Sequence, residues 1–184
     1  MKLMIASDLH GSAHYTKLLV EAYAREQADK LLLLGDILYH GPRNPLPKEY
    51  DTQAVTAMLN QIADRLVCVR GNCDSEVDQM VLQFPVLAGH AYLSVDETKI
   101  FATHGHVYGL DNLPPLCKGD YLLCGHIHIP VHRPLGDFTY LNPGSLALPK
   151  DGTPHSYMTL EDGIFIWHDL ENGNCFEPLC CKKP

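Results

Sequence analysis

Three short apolar runs open the chain, each closed by a polar or glycine-bearing motif. Lys2–Ser7, Leu31–Leu34 and Leu66–Val69 are brief, almost uninterrupted and read as buried strands. Between the first two, Tyr15, Leu18, Leu19, Ala22 and Tyr23 recur at helical spacing, which predicts a helix over 13–27. A loop rich in Gly and Pro (Gly41, Pro42, Pro45, Pro47) precedes Asp51, a natural N-cap for a second helix through about Asp64 with Val55, Met58, Leu59 and Ile62 inward. The order β-α-β-α-β implies right-handed crossovers and a parallel sheet.

After Gly71 the pattern changes. Ala91–Val95 and Lys99–Thr103 flank Asp96-Glu97-Thr98 as a hairpin. A loop or short helix is expected near 107–119, and Tyr121–Cys124 is another buried strand. Short strands follow near Val131–Arg133 and Phe138–Leu141. Ser156–Leu160 and Ile164–His168, hinged at Glu161-Asp162-Gly163, alternate in part and read as half-exposed antiparallel strands. The expected fold is α/β: a two-sheet β-sandwich flanked by helices, mixed parallel and antiparallel, with residues 1–184 forming one domain.

Composition narrows the function. The formal charge is −8, and no Lys/Arg cluster exceeds Lys182-Lys183, so the chain carries no nucleic-acid footprint and favours a small substrate. No segment reaches the length of a membrane span, and the apolar stretch before Asp8 is too short for a signal peptide. Seven cysteines, an odd number, lie in apolar runs or scattered, a reduced and cytoplasmic pattern. Cys175, Cys180 and Cys181 lack a fourth partner for a metal clip. Edge strands near the C-terminus make a homo-oligomer plausible.

The chemistry lies in five motifs at strand ends: Asp8-Leu9-His10, Gly35-Asp36, Gly71-Asn72, His104-Gly105-His106 and Gly125-His126-Ile127-His128. Strand ends of an open α/β sheet converge on one crevice. Two carboxylates (Asp8, Asp36), one amide (Asn72) and four imidazoles (His10, His104, His126, His128) suit a pair of divalent transition metals. Two such ions, two carboxylates and a bridging hydroxide leave about one positive charge, which suits a phosphodiester monoanion and its more negative transition state. Metals roughly 3.5–4 Å apart activate the water and clamp the attacking and leaving oxygens.

This set resembles the calcineurin-like metallophosphoesterase superfamily, whose pattern runs Asp-x-His, Gly-Asp, Gly-Asn-His-Asp/Glu, His and Gly-His-x-His. All five blocks stand here in that order between residues 8 and 128. Ser7-Asp8-Leu9-His10-Gly11, Thr103-His104-Gly105-His106 and Asn142-Pro143-Gly144-Ser145 resemble the small bacterial YfcE-type phosphodiesterases, relatives of vacuolar protein sorting 29. The resemblance implies one metal on Asp8, His10 and His128, the other on Asn72, His104 and His126, and Asp36 between them. It implies manganese, with iron or zinc as alternatives, and a small phosphodiester as substrate. The family histidine of the third block is absent: the chain reads Gly71-Asn72-Cys73-Asp74. That histidine serves the leaving group, and a thiol with a pKa near 8.5 is a poor acid. Asn72, Cys73 and His106 are therefore the catalytic candidates, and His40 and Arg43 of the Gly/Pro loop are candidates for holding phosphate. His90, His132, His155 and His168 have no partner spacing. The alternatives are a phosphomonoesterase and a non-catalytic protein-binding scaffold of the same fold.

Overall fold

The computed structural model describes residues 1–176, so the tail readings on Cys180, Cys181 and Lys182-Lys183 lie outside the described residues. β1 (Leu3–Ala6), β2 (Lys30–Leu33) and β3 (Leu66–Cys68) pair in parallel through the crossovers α1 (Ala13–Glu26) and α2 (Thr52–Asn60). Ser12 caps α1 by accepting from the Tyr15 N–H at 3.3 Å, and Asp51 caps α2 by accepting from Gln53 and Ala54, both at 3.0 Å. Then come α3 (Glu76–Val81), β4 (His90–Val95), β5 (Thr98–Thr103), β6 (Tyr121–Leu123), β7 (Pro130–Leu135) and β8 (Phe138–Pro143). β9 (Ser156–Glu161), β10 (Ile164–Asp169) and β11 (Cys175–Phe176) return to the first sheet. One sheet has the order β11-β10-β9-β1-β2-β3 and the other β4-β5-β6-β8-β7.

The continuous apolar runs are explained by burial on both faces. Leu3 and Ile5 of β1 face the second sheet with Ile100, Ala102, Leu123 and Leu141, while Met4 and Ala6 face Leu19 of α1 and Val55 of α2. The outer face of the second sheet has no helix over it among the described residues. Its cover is the 107–119 segment, whose Tyr108 and Leu116 pack on Phe101, Leu122, Cys124, Val131 and Tyr140.

Two sequence expectations change, one holds, and one element is added. The second helix ends at Asn60, and a separate 3-10 turn at Ala63–Arg65 leads into β3. The 107–119 segment is a loop of bends and a turn, one of the two forms expected of it. β9 is buried from Ser156 to Leu160, because it pairs with β1 on one side and β10 on the other. Finally α3 was not foreseen: Val77, Met80 and Val81 point outward, so it has no inward apolar stripe, and the reciprocal Ser75–Asp78 capping box fixes its start. No helix among the described residues is long and apolar enough to cross a membrane.

Candidate metal centre

All five motifs follow the carboxyl ends of mutually parallel strands: β1, β2 and β3 in one sheet, β5 and β6 in the other. The two sheets therefore deliver their ligand-type residues to one end of the sandwich. Five of the seven candidates sit in the left-handed region, with φ of 60° at Asp8, 49° at His10, 54° at Asp36, 70° at His126 and 63° at His128. Each such residue costs on the order of 1–3 kcal/mol and persists only where its surroundings over-determine it. Here they do. His10 N–H donates to the Asp36 carbonyl at 2.9 Å, Gly125 N–H to the His104 carbonyl at 2.9 Å, and His126 N–H to Asp8 Oδ2 at 3.1 Å. The glycines allow the loops to touch: a Cβ on Gly71 would collide with Asp36, and one on Gly125 with Ser7.

The histidines are aimed by their second ring nitrogen. Nδ1–H of His10 donates to the Tyr39 carbonyl at 2.9 Å, that of His104 to Leu34 at 2.7 Å, and that of His128 to Leu148 at 2.7 Å. Each neutral ring thus turns its Nε2 lone pair inward, the arrangement of metal-ligating histidines. His10 and His128 face each other Nε2 to Nε2 at 3.3 Å, with Asp8 Oδ1 at 3.6 and 3.2 Å from them. Asp36 Oδ2 lies 3.7 Å from His10 Nε2 and 3.5 Å from His104 Nε2, between the two groups. His104 Nε2 is 3.0 Å from Asn72 Oδ1 and 3.2 Å from His126 Nδ1. Asp8 Oδ1 is fully buried and has no hydrogen-bond partner. Lone pairs and an orphan carboxylate oxygen converging this closely repel one another unless a cation stands among them. The donor set fits divalent metal ions.

Without metal, protons take that place. Burial disfavours charge on Asp8, yet His10 and His128 beside its carboxylate and the positive field of His104 outweigh it, holding Asp8 well below the usual carboxylate range. Asp36 is lowered too, burial again opposing and the His104 hydrogen bond prevailing. Burial opposes charge on His104, but the Asp36 hydrogen bond and the Asp8 charge push it up to about 9.

The remaining candidates separate. Cys73 joins the group through its N–H, which donates to Asp36 Oδ1 at 2.8 Å, and its sulfur accepts from Asn72 Nδ2 at 3.2 Å. Burial and then the Asp36 charge push its thiol far up. His106 is exposed at the rim, its ring 5.3 Å from that of His104, and burial with the nearby His104 charge lowers its pKa. Arg43 lines a cleft of about 390 Å³ together with Asp36, Asn72, Cys73, His126 and His128. His40 does not line that cleft; its ring stands edge-on to Tyr39 and Tyr50.

Sequence reasoning missed several supports. Asn44 and Lys150 share the cleft wall with Arg43. Asp74 clamps the β2 and β3 loops, accepting from the N–H groups of Asp36 and Ile37 at 2.8 Å each and of Gly71 at 2.7 Å. Burial, ahead of the opposing backbone N–H groups, raises its pKa. Asn142 Nδ2 donates to the Gly125 carbonyl at 2.7 Å and Ser145 Oγ to the Asp8 carbonyl at 3.1 Å, so the Asn142–Ser145 turn supports both His126 and Asp8.

Comparison with known proteins gives the chain its family. Residues 1–162 match the model of the calcineurin-like phosphoesterase superfamily domain. The chain is 46% identical over 164 residues to the phosphodiesterase YfcE of Escherichia coli K12, covering 89% of each. It is 26% identical to the probable metallophosphoesterase YsnB of Bacillus subtilis, covering 97% of this chain and 96% of that one. The solved structure of Yfce, a phosphoesterase from E. coli, superposes with a TM-score of 0.94 at 43% identity, covering 98% of this chain and 99% of that one. Vps29 of Entamoeba histolytica, solved with Zn2+, shares the fold at a TM-score of 0.59 and 19% identity, covering 96% of each chain. The chain belongs to the calcineurin-like phosphoesterase superfamily.

Proposed function

We propose that this chain is a cytoplasmic, single-domain phosphodiesterase acting on small diesters at a dinuclear metal centre. Phosphoester hydrolysis follows from the family; the diester preference, the two ions and the residue roles are the finer proposal. The observation that carries it is the convergence of Nε2 lone pairs from His10, His104 and His128 on two carboxylates, one with an unpartnered buried oxygen. Asp8, His10 and His128 would hold one ion and Asn72, His104 and His126 the other, with Asp36 shared. When bound, the ions supply Lewis acidity that activates water and neutralises charge on the phosphoryl oxygens. Manganese suits this oxygen- and imidazole-rich set, as iron or zinc would.

The chain's own residues set the substrate class. Arg43 and Lys150 on the cleft wall offer cationic contacts to a phosphoryl group. Neither candidate acid suits the leaving oxygen: burial pushes the Cys73 thiol far up, and the His106 imidazole, with its lowered pKa, lines the neighbouring cavity and not this cleft. A group that cannot give up its proton readily does not protonate an alkoxide, so esters of acidic alcohols or phenols should react and alkyl esters should lag. A monoester adds a second negative charge to the same poor leaving-group environment, which supports the diester reading over the monoester one.

The test is metal analysis of the purified protein together with hydrolysis of an aryl phosphodiester and its monoester, with manganese and with chelator. Two ions per chain and metal-dependent diesterase activity are expected. Turnover that persists in chelator, or a metal-loaded chain inert on diesters, refutes the reading.

A further inference from the structure

The phosphoryl cleft shares a wall with a second cavity. His126 lines both, and His106 stands at the rim of the second. This neighbour has a volume of about 470 Å³, within the size range of small-molecule sites. It lies between the segment that follows β5, the loop that follows β6, and the outer face of β7 and β8. Cys124, Val131 and Tyr140 are its buried floor, and Leu110 and Ile127, each 38% exposed, add apolar walls. Arg133 and Asp111 contribute one charge of each sign. The cover is kept thin by glycine: a Cβ on Gly109 would press on the Gly105 carbonyl oxygen at 2.8 Å, and Gly105, at φ 111°, lies directly over Cys124 and His126.

A phosphodiester carries two arms, and the site geometry treats them differently. The buried Asp36 and His128 form the floor of the phosphoryl cleft, while the exposed Arg43 and Lys150 stand at its mouth. In-line displacement begun at the floor sends the leaving oxygen toward the mouth. The arm that stays on phosphorus is directed sideways, and His126 on that side also lines the cavity of apolar floor and polar edge.

We propose that this cavity is the subsite for the retained arm of the phosphodiester and that it selects an aromatic or heteroaromatic ring. The inference rests on the phosphodiesterase reading above. Water's oxygen bonds to phosphorus, the bond to the leaving arm breaks, and a water proton ends on the departed oxygen. The ring remains on the product monoester, seated over Val131 and Tyr140. A ring fills the apolar floor and can offer its edge to Arg133 and Asp111; a methyl arm leaves both unmatched.

The experiment uses the manganese-loaded full chain. Bis(p-nitrophenyl) phosphate and methyl p-nitrophenyl phosphate release the same leaving group and differ in the retained arm, so the change in their kcat/KM ratio when the cavity is filled reports the subsite. Calorimetry adds the affinities of p-nitrophenyl phosphate and methyl phosphate, which need no turnover. The cavity is filled by Val131→Trp and, independently, by Leu110→Trp on the exposed loop, which decides the matter if the buried substitution does not fold. In wild type the aryl phosphate binds at least about tenfold tighter than methyl phosphate, and both filled variants lower the kcat/KM ratio and the affinity gap by about tenfold. An unchanged ratio and gap in the folded variants, with diesters still hydrolysed, overturns the subsite and leaves the phosphodiesterase reading standing. A wild type that hydrolyses neither diester but shows an affinity gap erased by the variants sinks that reading and keeps the subsite.

Discussion

Replacing Asp74 by Ala should unfold the centre from behind, although Asp74 is none of the seven candidate ligands. Its carboxylate is 3% exposed and accepts three backbone N–H groups, from Asp36, Ile37 and Gly71, at 2.7–2.8 Å. An alanine leaves all three donors without that partner. Hydrogen bonds to a charged group contribute ~1.5–3 kcal/mol each, but three on one carboxylate are not additive. Three donors left without a partner cost roughly 3–5 kcal/mol together once that non-additivity is allowed for. For a chain of this size each kcal/mol lowers Tm by about 2–4 °C, so Asp74→Ala should melt roughly 10 °C below wild type. Asp74→Asn is the graded control. One oxygen, Oδ2, receives both the Asp36 and Gly71 N–H groups, and an amide can keep that oxygen. Its NH2 would then confront the Ile37 N–H, so the loss should be about half as large. Because the Asp36 N–H is part of the clamp, manganese affinity should fall in the same order. Thermal melts of the metal-free proteins and manganese titrations read both effects. An Asp74→Ala protein that melts within about 2 °C of wild type and binds manganese equally well would refute the clamp.

Three further outcomes follow from the centre. Cys73→His supplies an imidazole able to protonate a basic leaving oxygen and should raise hydrolysis of alkyl monoesters by about 10²–10⁴-fold, the usual range for general acid help; an unchanged rate in assays of the metal-loaded variant refutes the leaving-group argument. In the metal-free chain His104 is raised from 6.5 to about 9, so its protonation stabilises the fold fully below about 6.5 and that contribution is lost as pH rises through about 9. Tm of the chelated protein should therefore drop across that interval while the manganese-loaded protein lacks this loss; parallel curves from scanning calorimetry would contradict the assignment. Gly71→Ala drives a Cβ into the Asp36 carboxylate and backbone and should cut bound metal below half of wild type without abolishing folding, and full occupancy by elemental analysis would show that the loops can part.

Much of this was legible because the residues that make the fold and those that make the site obey simple rules on different positions. Leu31–Leu34 is apolar throughout since β2 lies between β1 and β3 and is covered on both faces. The ligand-type residues stand just beyond such runs, where parallel strands expose their carboxyl ends. What the chain hides are contacts made by backbone. Asp74 resembles an acid that orients a neighbouring side chain, and only three-dimensional proximity shows it gripping N–H groups of two loops 35 residues apart. Lys150 precedes an ordinary Asp151-Gly152 turn, with no pattern to tie it to Arg43. His40 follows the opposite course: it neighbours the cleft in sequence, yet the aromatic edges of Tyr39 and Tyr50 take its ring away from the wall.

Asp and His tolerate positive φ better than β-branched residues, but nothing in an apolar-polar pattern marks Asp8, His10, Asp36, His126 and His128 as adopting it. In each case the conformation turns a side chain inward just after its strand has ended, which regular strand geometry, alternating between faces, would not do for both Asp8 and Asp36 at once. The strain is sustained by ligands of a structural kind: the Asp74 carboxylate for Asp36, the Ser145 hydroxyl for Asp8, the Asn142 amide for the turn before His126. Local rules are broken where the chemistry needs them broken, and the buried polar groups around them bear the cost. Such supports should therefore matter to metal affinity nearly as much as the ligands themselves: Asn142→Leu, which removes the donor to the Gly125 carbonyl, should weaken manganese binding on the order of 10–100-fold. An Asn142→Leu protein that folds and binds manganese as wild type does would show that the His126–His128 turn holds its shape unaided.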